Sequence, residues 1–263
     1  MSLPLETGSA SGHVRCAEAK SVVSALKELG VVRGRPVAVW PPRSLPHGLF
    51  LSSVRNGWVS LWTPLDDLCE WFGELTASLE CPGVLFEVAD ELFWATELYR
   101  DGELLGRCDL PTEWVEAGLL QSLAEEALER EGVPDPQQIP DRLEACMLDL
   151  AASSEYGNAL EELRAGRFAP DDLAPFLPPF ATAECAWTLL TACDHPEEES
   201  EPGDETAETY VDRFASYLGI RDAAWNPSAD ADALAEGDYD DGDGLPDGWK
   251  EFRVLPLPKL PVL

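Results

Sequence analysis

The chain has 263 residues, 45% of them hydrophobic, with nine Trp and nine Phe; that length and apolar content can build a core without disulfide or metal staples and argue against a disordered chain. Fifty Asp and Glu against eighteen Lys and Arg leave a formal net charge of −32. Such a charge disfavours binding to nucleic-acid phosphates and to anionic membrane surfaces, and favours a basic protein as partner.

Residues 1–15 are polar and rich in Gly and Ser, and read as a flexible N-terminus. A helix is expected from about Cys16 to Leu29, with Ala19, Val22, Leu26 and Leu29 on one face and Gly30 as its stop. Pro36 to Trp40 is a short β-prone run. Leu49–Val54 and Trp58–Trp62 are strand-like and flank Arg55-Asn56-Gly57, a hairpin signal because Asn and Gly both accept positive φ. Thr63-Pro64-Leu65-Asp66 opens a helix whose stripe, Leu65, Leu68, Phe72, Leu75 and Leu79, recurs at three- and four-residue steps until Cys81-Pro82-Gly83. Val84–Val88, Leu92–Arg100 and Glu103–Cys108 then form a β-meander turning at Asp90-Glu91 and Asp101-Gly102, and Pro111-Thr112 opens a helix to about Leu128.

The second half reads as mostly helical, with helices over 140–152, 157–165, 171–176 and 182–193 bounded by Pro170, Pro175, Pro178 and Pro179. Residues 196–208 read as an acidic linker. A helix over about Thr206–Leu218 follows, then an acidic loop and a last strand around Phe252–Leu255. The expected fold class is α+β: an antiparallel sheet, hairpin plus meander, covered on one face by the two helices of the first half. The expected organisation is one α+β domain over 16–195 with a helical extension, the linker, and a closing unit over 209–263 packed on the same domain.

The seven cysteines, Cys16, Cys69, Cys81, Cys108, Cys146, Cys185 and Cys193, form no C-x-x-C pair, which argues against a zinc site or disulfide framework and for a reducing, cytoplasmic compartment. No basic n-region precedes an apolar run at the N-terminus, and no stretch nears eighteen apolar residues, so neither a signal peptide nor a membrane span is expected. His13, His47 and His195 lack the spacing of a metal site. Cys193-Asp194-His195 brings a thiol and an imidazole together in sequence, but among acids, where a thiolate is not stabilised. No nucleophile elbow, Walker loop or dinucleotide fingerprint occurs.

The one metal-like segment is Asp238–Trp249, which resembles the calcium loops of thrombospondin-type-3 and EF-hand-like repeats. The resemblance places Asp241, Asp243 and Asp247 at ligand positions three, five and nine, while positions one and twelve fall on Tyr239 and Lys250, which supply no carboxylate. An acidic surface turn is the plainer reading. The aromatics Trp58, Trp62, Trp71, Phe93, Trp94 and Tyr99 read as core, with at least one expected to point away from the main helix layer, either exposed as a hot spot or covered by the helical second half.

Gly57-Trp-Val-Ser-Leu-Trp62, the Leu65–Leu79 helix, Val84–Asp109, Phe214–Ile220 and Gly248-Trp-Lys-Glu-Phe252 together resemble uncharacterised bacterial α+β proteins of high-GC genomes. That resemblance implies no activity and no site residues. Two functions of different class are expected: first a non-catalytic, immunity- or inhibitor-like module for a basic protein, and second an enzyme with a dispersed carboxylate or Cys site. A calcium-modulated module using 238–249 is a third.

Overall fold

The computed structural model describes residues 8–38, 48–63, 68–89, 93–131, 139–194, 206–223 and 253–256. They form an eight-stranded antiparallel sheet in the order β2-β8-β3-β4-β1-β5-β6-β7. Its strands are β1 (Gly8–Arg15), β2 (Val37–Ala38), β3 (Gly48–Leu51), β4 (Trp58–Thr63), β5 (Pro82–Ala89), β6 (Phe93–Arg100), β7 (Glu103–Leu110) and β8 (Arg253–Pro256). The helices are α1 (Ala19–Glu28), α2 (Leu68–Leu79), α3 (Thr112–Glu131), α4 (Ile139–Ala151), α5 (Ser154–Ala165), α6 (Ala183–Leu190) and α7 (Ala207–Tyr217), with a 3₁₀ segment at Pro170–Phe176. The α+β class with an antiparallel sheet is as expected. Among the described residues no helix is long and apolar enough to cross a membrane.

The sheet is covered on both faces, where the sequence suggested one. Strand alternation sends Val14, Val59, Leu61 and Leu85 to one side, where they pack with Val22 and Leu26 of α1 and Phe72 and Leu75 of α2. The opposite side carries Trp58, Val84, Phe86, Trp94 and Leu98, roofed by Phe168, Phe176, Leu190, Val211 and Phe214. The helices of the second half therefore supply a second layer.

Gly8–Arg15 departs most from expectation: instead of a flexible terminus it is a strand near the centre of the sheet, paired with β4 and β5 along its length. Its small residues are a packing requirement. A Cβ added at Gly12 would lie 2.5 Å from Phe72 Cε2, and one added at Gly83 on β5 would collide with Thr76 and Phe72. The Phe72 ring lies on a glycine floor, so the strand lacks the bulky apolar alternation that usually announces one.

Asn56 and Gly57 take positive φ at the β3–β4 turn, with reciprocal Arg55–Trp58 backbone bonds. The same turn caps α7. Trp58 Nε1 donates to Leu218 O and Asn56 Nδ2 to Gly219 O, both at 3.0 Å, satisfying carbonyls at the helix C-terminus. Trp62 Nε1 donates to Asp222 O at 3.0 Å, Arg55 pairs with Asp222 at 3.3 Å, and Ser11 Oγ donates to Ala223 O. The end of the expected linker is helical: Ala207 and Glu208 open α7, whereas 196–205 lie outside the described residues. The expected helix start at 64–67 and the turn at 90–92 also lie outside them.

Candidate binding surface

Most ionisable groups that converge in the fold are locked together. Glu87 (β5), Glu97 (β6), and Arg107 and Asp109 (β7) project from the sheet face that α2 partly covers. Arg107 holds Glu87 through two bonds of 3.1 and 2.8 Å, Glu97 at 2.8 Å and Asp109 at 2.7 Å. Tyr99 donates to Glu97 at 2.7 Å, and Cys69 of α2 to Glu87 at 2.9 Å. A β-bulge at Leu98/Tyr99 makes this possible. The Asp101-Gly102 turn pairs Arg100 with Glu103 and Tyr99 with Leu104, and beyond the bulge Leu98 faces Gly106 and Glu97 faces Arg107. Without the extra residue Arg107 would turn into the opposite, apolar face.

Burial alone would raise the Glu87 carboxyl, but the Arg107 guanidinium outweighs it and holds the group below the usual carboxylate range. Partial burial and then the Glu87 charge push the Cys69 thiol well above its ordinary range, and burial with the Glu97 contact does the same to Tyr99. At neutral pH the Glu87 carboxyl is ionised while the Cys69 thiol and the Tyr99 phenol keep their protons. The cluster ties three strands together and offers no thiolate for attack.

His13 sits on β1, fully buried, between Ser60 Oγ at 2.8 Å from Nδ1 and Ser11 Oγ at 3.0 Å from Nε2. Trp62 and Phe86 flank its ring. Burial pushes its pKa down to about 3, so the imidazole is neutral and sealed from substrate. Burial, with the Asp194 charge adding, pushes the Cys193 thiol up to about 11. Asp194 has a structural task, accepting from the Thr112 N–H and hydroxyl at 2.7 Å each and so capping α3 from 82 positions away. Cys193 and Asp194 are thus not a reactive pair, and His195 and His47 lie outside the described residues. So do Asp241, Asp243 and Asp247, the expected calcium ligands. Among the described residues no group of three or more His, Cys, Asp or Glu side chains is arranged to hold a metal ion.

Of the two alternatives for the outward-pointing aromatics, the structure has the covered one: Trp58, Trp62 and Trp94 are buried, with α7 roofing that face, while Trp71 and Phe93 are half-buried. Other side chains reach solvent instead. Phe180 is 99% exposed, Leu148 71% and Trp114 55%. Phe180 tops a turn between the 3₁₀ segment and α6, held by Ala181 N–H to Pro178 O at 3.0 Å and Thr182 N–H to Tyr217 Oη at 3.1 Å. Arg15 of β1 reaches under it, donating to Pro175 O at 2.8 Å and lying 5.7 Å from the Trp58 ring centre. Beside the turn, α6 and α7 leave a shallow groove lined by Leu189, Thr209, Asp212, Arg213, Ser216 and Tyr217.

Charge is unevenly spread. Residues 111–263 hold thirty-five of the fifty acids and nine of the eighteen Lys and Arg, leaving 26 of the 32 net negative charges there. Between 170 and 220 there are twelve acids and one arginine. Comparison of the chain with protein-family models, curated proteins and solved structures finds no match.

Proposed function

We propose that the protein is a non-catalytic binding module, immunity- or inhibitor-like in kind, whose partner is a basic protein. The observation that carries this reading is the coincidence, in the second half of the chain, of most of the negative charge with solvent-facing aromatics. Acidic potential steers a cationic partner and speeds association, while an aromatic in a charged surround supplies the desolvated contact that gives affinity. The ion network around Arg107 and the sealed His13 favour a scaffold role for groups whose residue types are otherwise suited to acid–base chemistry. Seven free cysteines suit a reducing, cytoplasmic setting, and the net charge disfavours nucleic acids.

Affinity purification from the source cells at low salt, then reconstitution of the captured protein from purified components, tests the reading. A basic partner whose association rate falls steeply between about 20 and 200 mM salt is expected. Recovery of neutral or acidic partners alone, or salt-independent association, overturns it.

A further inference from the structure

Phe180 is an unusual side chain to leave in water. Its turn is rigid: Pro178 and Pro179 restrict φ, the Ala181 N–H to Pro178 O bond and the Thr182 N–H to Tyr217 Oη bond close it, and the Arg15 guanidinium clamps the segment that leads into it. A side chain presented on such a turn loses little freedom on binding, which is the property of an interface anchor. The turn is continuous with the α6–α7 groove, since the Tyr217 hydroxyl that receives the Thr182 N–H belongs to a residue lining that groove. The groove is open and shallow, with Leu189 and Tyr217 as its apolar lining and Asp212 and Arg213 as one charge of each sign. Such a shape suits an elongated ridge rather than an enclosed small molecule.

We propose that this groove, with Phe180 at its end, receives a basic amphipathic helix of the partner protein, an inference that rests on the function proposed above. Each part of the occupant follows from a different feature. The apolar lining and Phe180 call for an apolar stripe, which an oligocation lacks. Among the described residues of 170–220, six acids (Asp171, Asp172, Glu184, Asp194, Glu208 and Asp212) stand against the single Arg213, an excess that calls for Lys and Arg beside that stripe and repels an acidic helix. Two packed helices with a furrow between them take a third helix by the usual helix-in-groove mode.

Three labelled peptides of equal length test this by anisotropy against the full chain at about 20 mM salt: a Lys/Leu peptide with Leu at i, i+3, i+4 spacing, a Glu/Leu counterpart, and oligolysine. The Lys/Leu peptide is expected to bind about tenfold tighter than oligolysine, with the Glu/Leu peptide not bound. Phe180→Ser is expected to weaken the Lys/Leu peptide about tenfold and leave oligolysine within about twofold. Its Tm should match wild type, because Phe180 is 99% exposed. Ser216→Arg, which adds a second cation beside Arg213 in the groove lining, is expected to weaken the same peptide. Unchanged Lys/Leu binding in both variants overturns this surface while leaving the basic-partner reading standing. Failure of both cationic peptides to bind wild type overturns the two together.

Discussion

Acidification should unfold this protein partly through one buried imidazole. His13 makes its hydrogen bonds to two serine hydroxyls, both able to adapt to a neutral ring, and burial pushes its pKa from 6.5 to about 3. In the unfolded chain the ring protonates as pH falls through about 6.5, whereas the native ring stays neutral. A depressed native pKa therefore contributes stability that is complete above about 6.5 and is lost as pH falls towards 3. The slope is about 1.4 kcal/mol per pH unit, or about 3 kcal/mol between pH 6.5 and 4.5. The many carboxylates also titrate at the lower end, so the test is a difference between two proteins that share them. Urea unfolding followed by Trp fluorescence, on wild type and His13→Gln at pH 7, 6, 5 and 4.5, isolates the contribution. At pH 7 the variant should be less stable, through lost packing and hydrogen bonds, by about 1–3 kcal/mol. That gap should shrink by about 1.4 kcal/mol for each unit below 6.5 and reverse by pH 4.5 if it began at the low end. Parallel pH profiles for the two proteins, or a native-state His13 resonance titrating near 6.5, would refute the reasoning.

Gly12→Ala should cost about 1–3 kcal/mol, because the new methyl meets the Phe72 ring at 2.5 Å, and Phe72→Leu should recover part of the loss in a double-mutant cycle read by urea midpoint. Trp58→Phe removes the donor to Leu218 O, so amide exchange over 216–220 should accelerate while α1 is unaffected, with a global loss of about 1–2 kcal/mol. Arg107→Met leaves Glu87, Glu97 and Asp109 facing one another and should cost about 2–4 kcal/mol at pH 7. That loss should diminish on acidification: wild type loses the Glu87 contribution as its lowered carboxyl protonates, while the variant is relieved of repulsion. For the 238–249 loop, the missing ligands at Tyr239 and Lys250 make any Ca²⁺ binding millimolar or weaker by calorimetry, and a micromolar site would overturn that assignment.

Local chemistry announced much of the fold. The Asn56-Gly57 turn is legible because few other residues tolerate its backbone, and the Leu68, Phe72, Leu75 stripe of α2 because its period is helical and its members are all buried. β1 was illegible because what makes it a strand lies elsewhere: its glycine is small to admit Phe72, and its His and Ser find partners only after β4 is alongside. The Arg107 cluster was hidden for a different reason. Glu87, Glu97, Arg107 and Asp109 stand at alternate positions of apolar strands, which is a visible signal, but plain counting from the Asp101-Gly102 turn puts Arg107 opposite Thr96. Only the bulge at Leu98/Tyr99, which no residue type marks, brings it to Glu97. The exposed Phe180 was missed because Pro-Pro-Phe between two helical runs reads as a breaker, and solvent exposure is not written in composition.

β8 lies between β2 and β3, so the sheet is completed by residues made long after its other members. From Leu51 to Arg253 about 200 residues must be synthesised, an interval of about 10–40 s at ordinary elongation rates. Throughout it the outer edge of β3 offers unpaired N–H and C=O groups, and β2 has no neighbour to join. An open edge of this kind pairs readily with a strand from another chain. A product ending before Arg253 would therefore leave that edge open to another chain, and β8, the last made of the described strands, is what covers it.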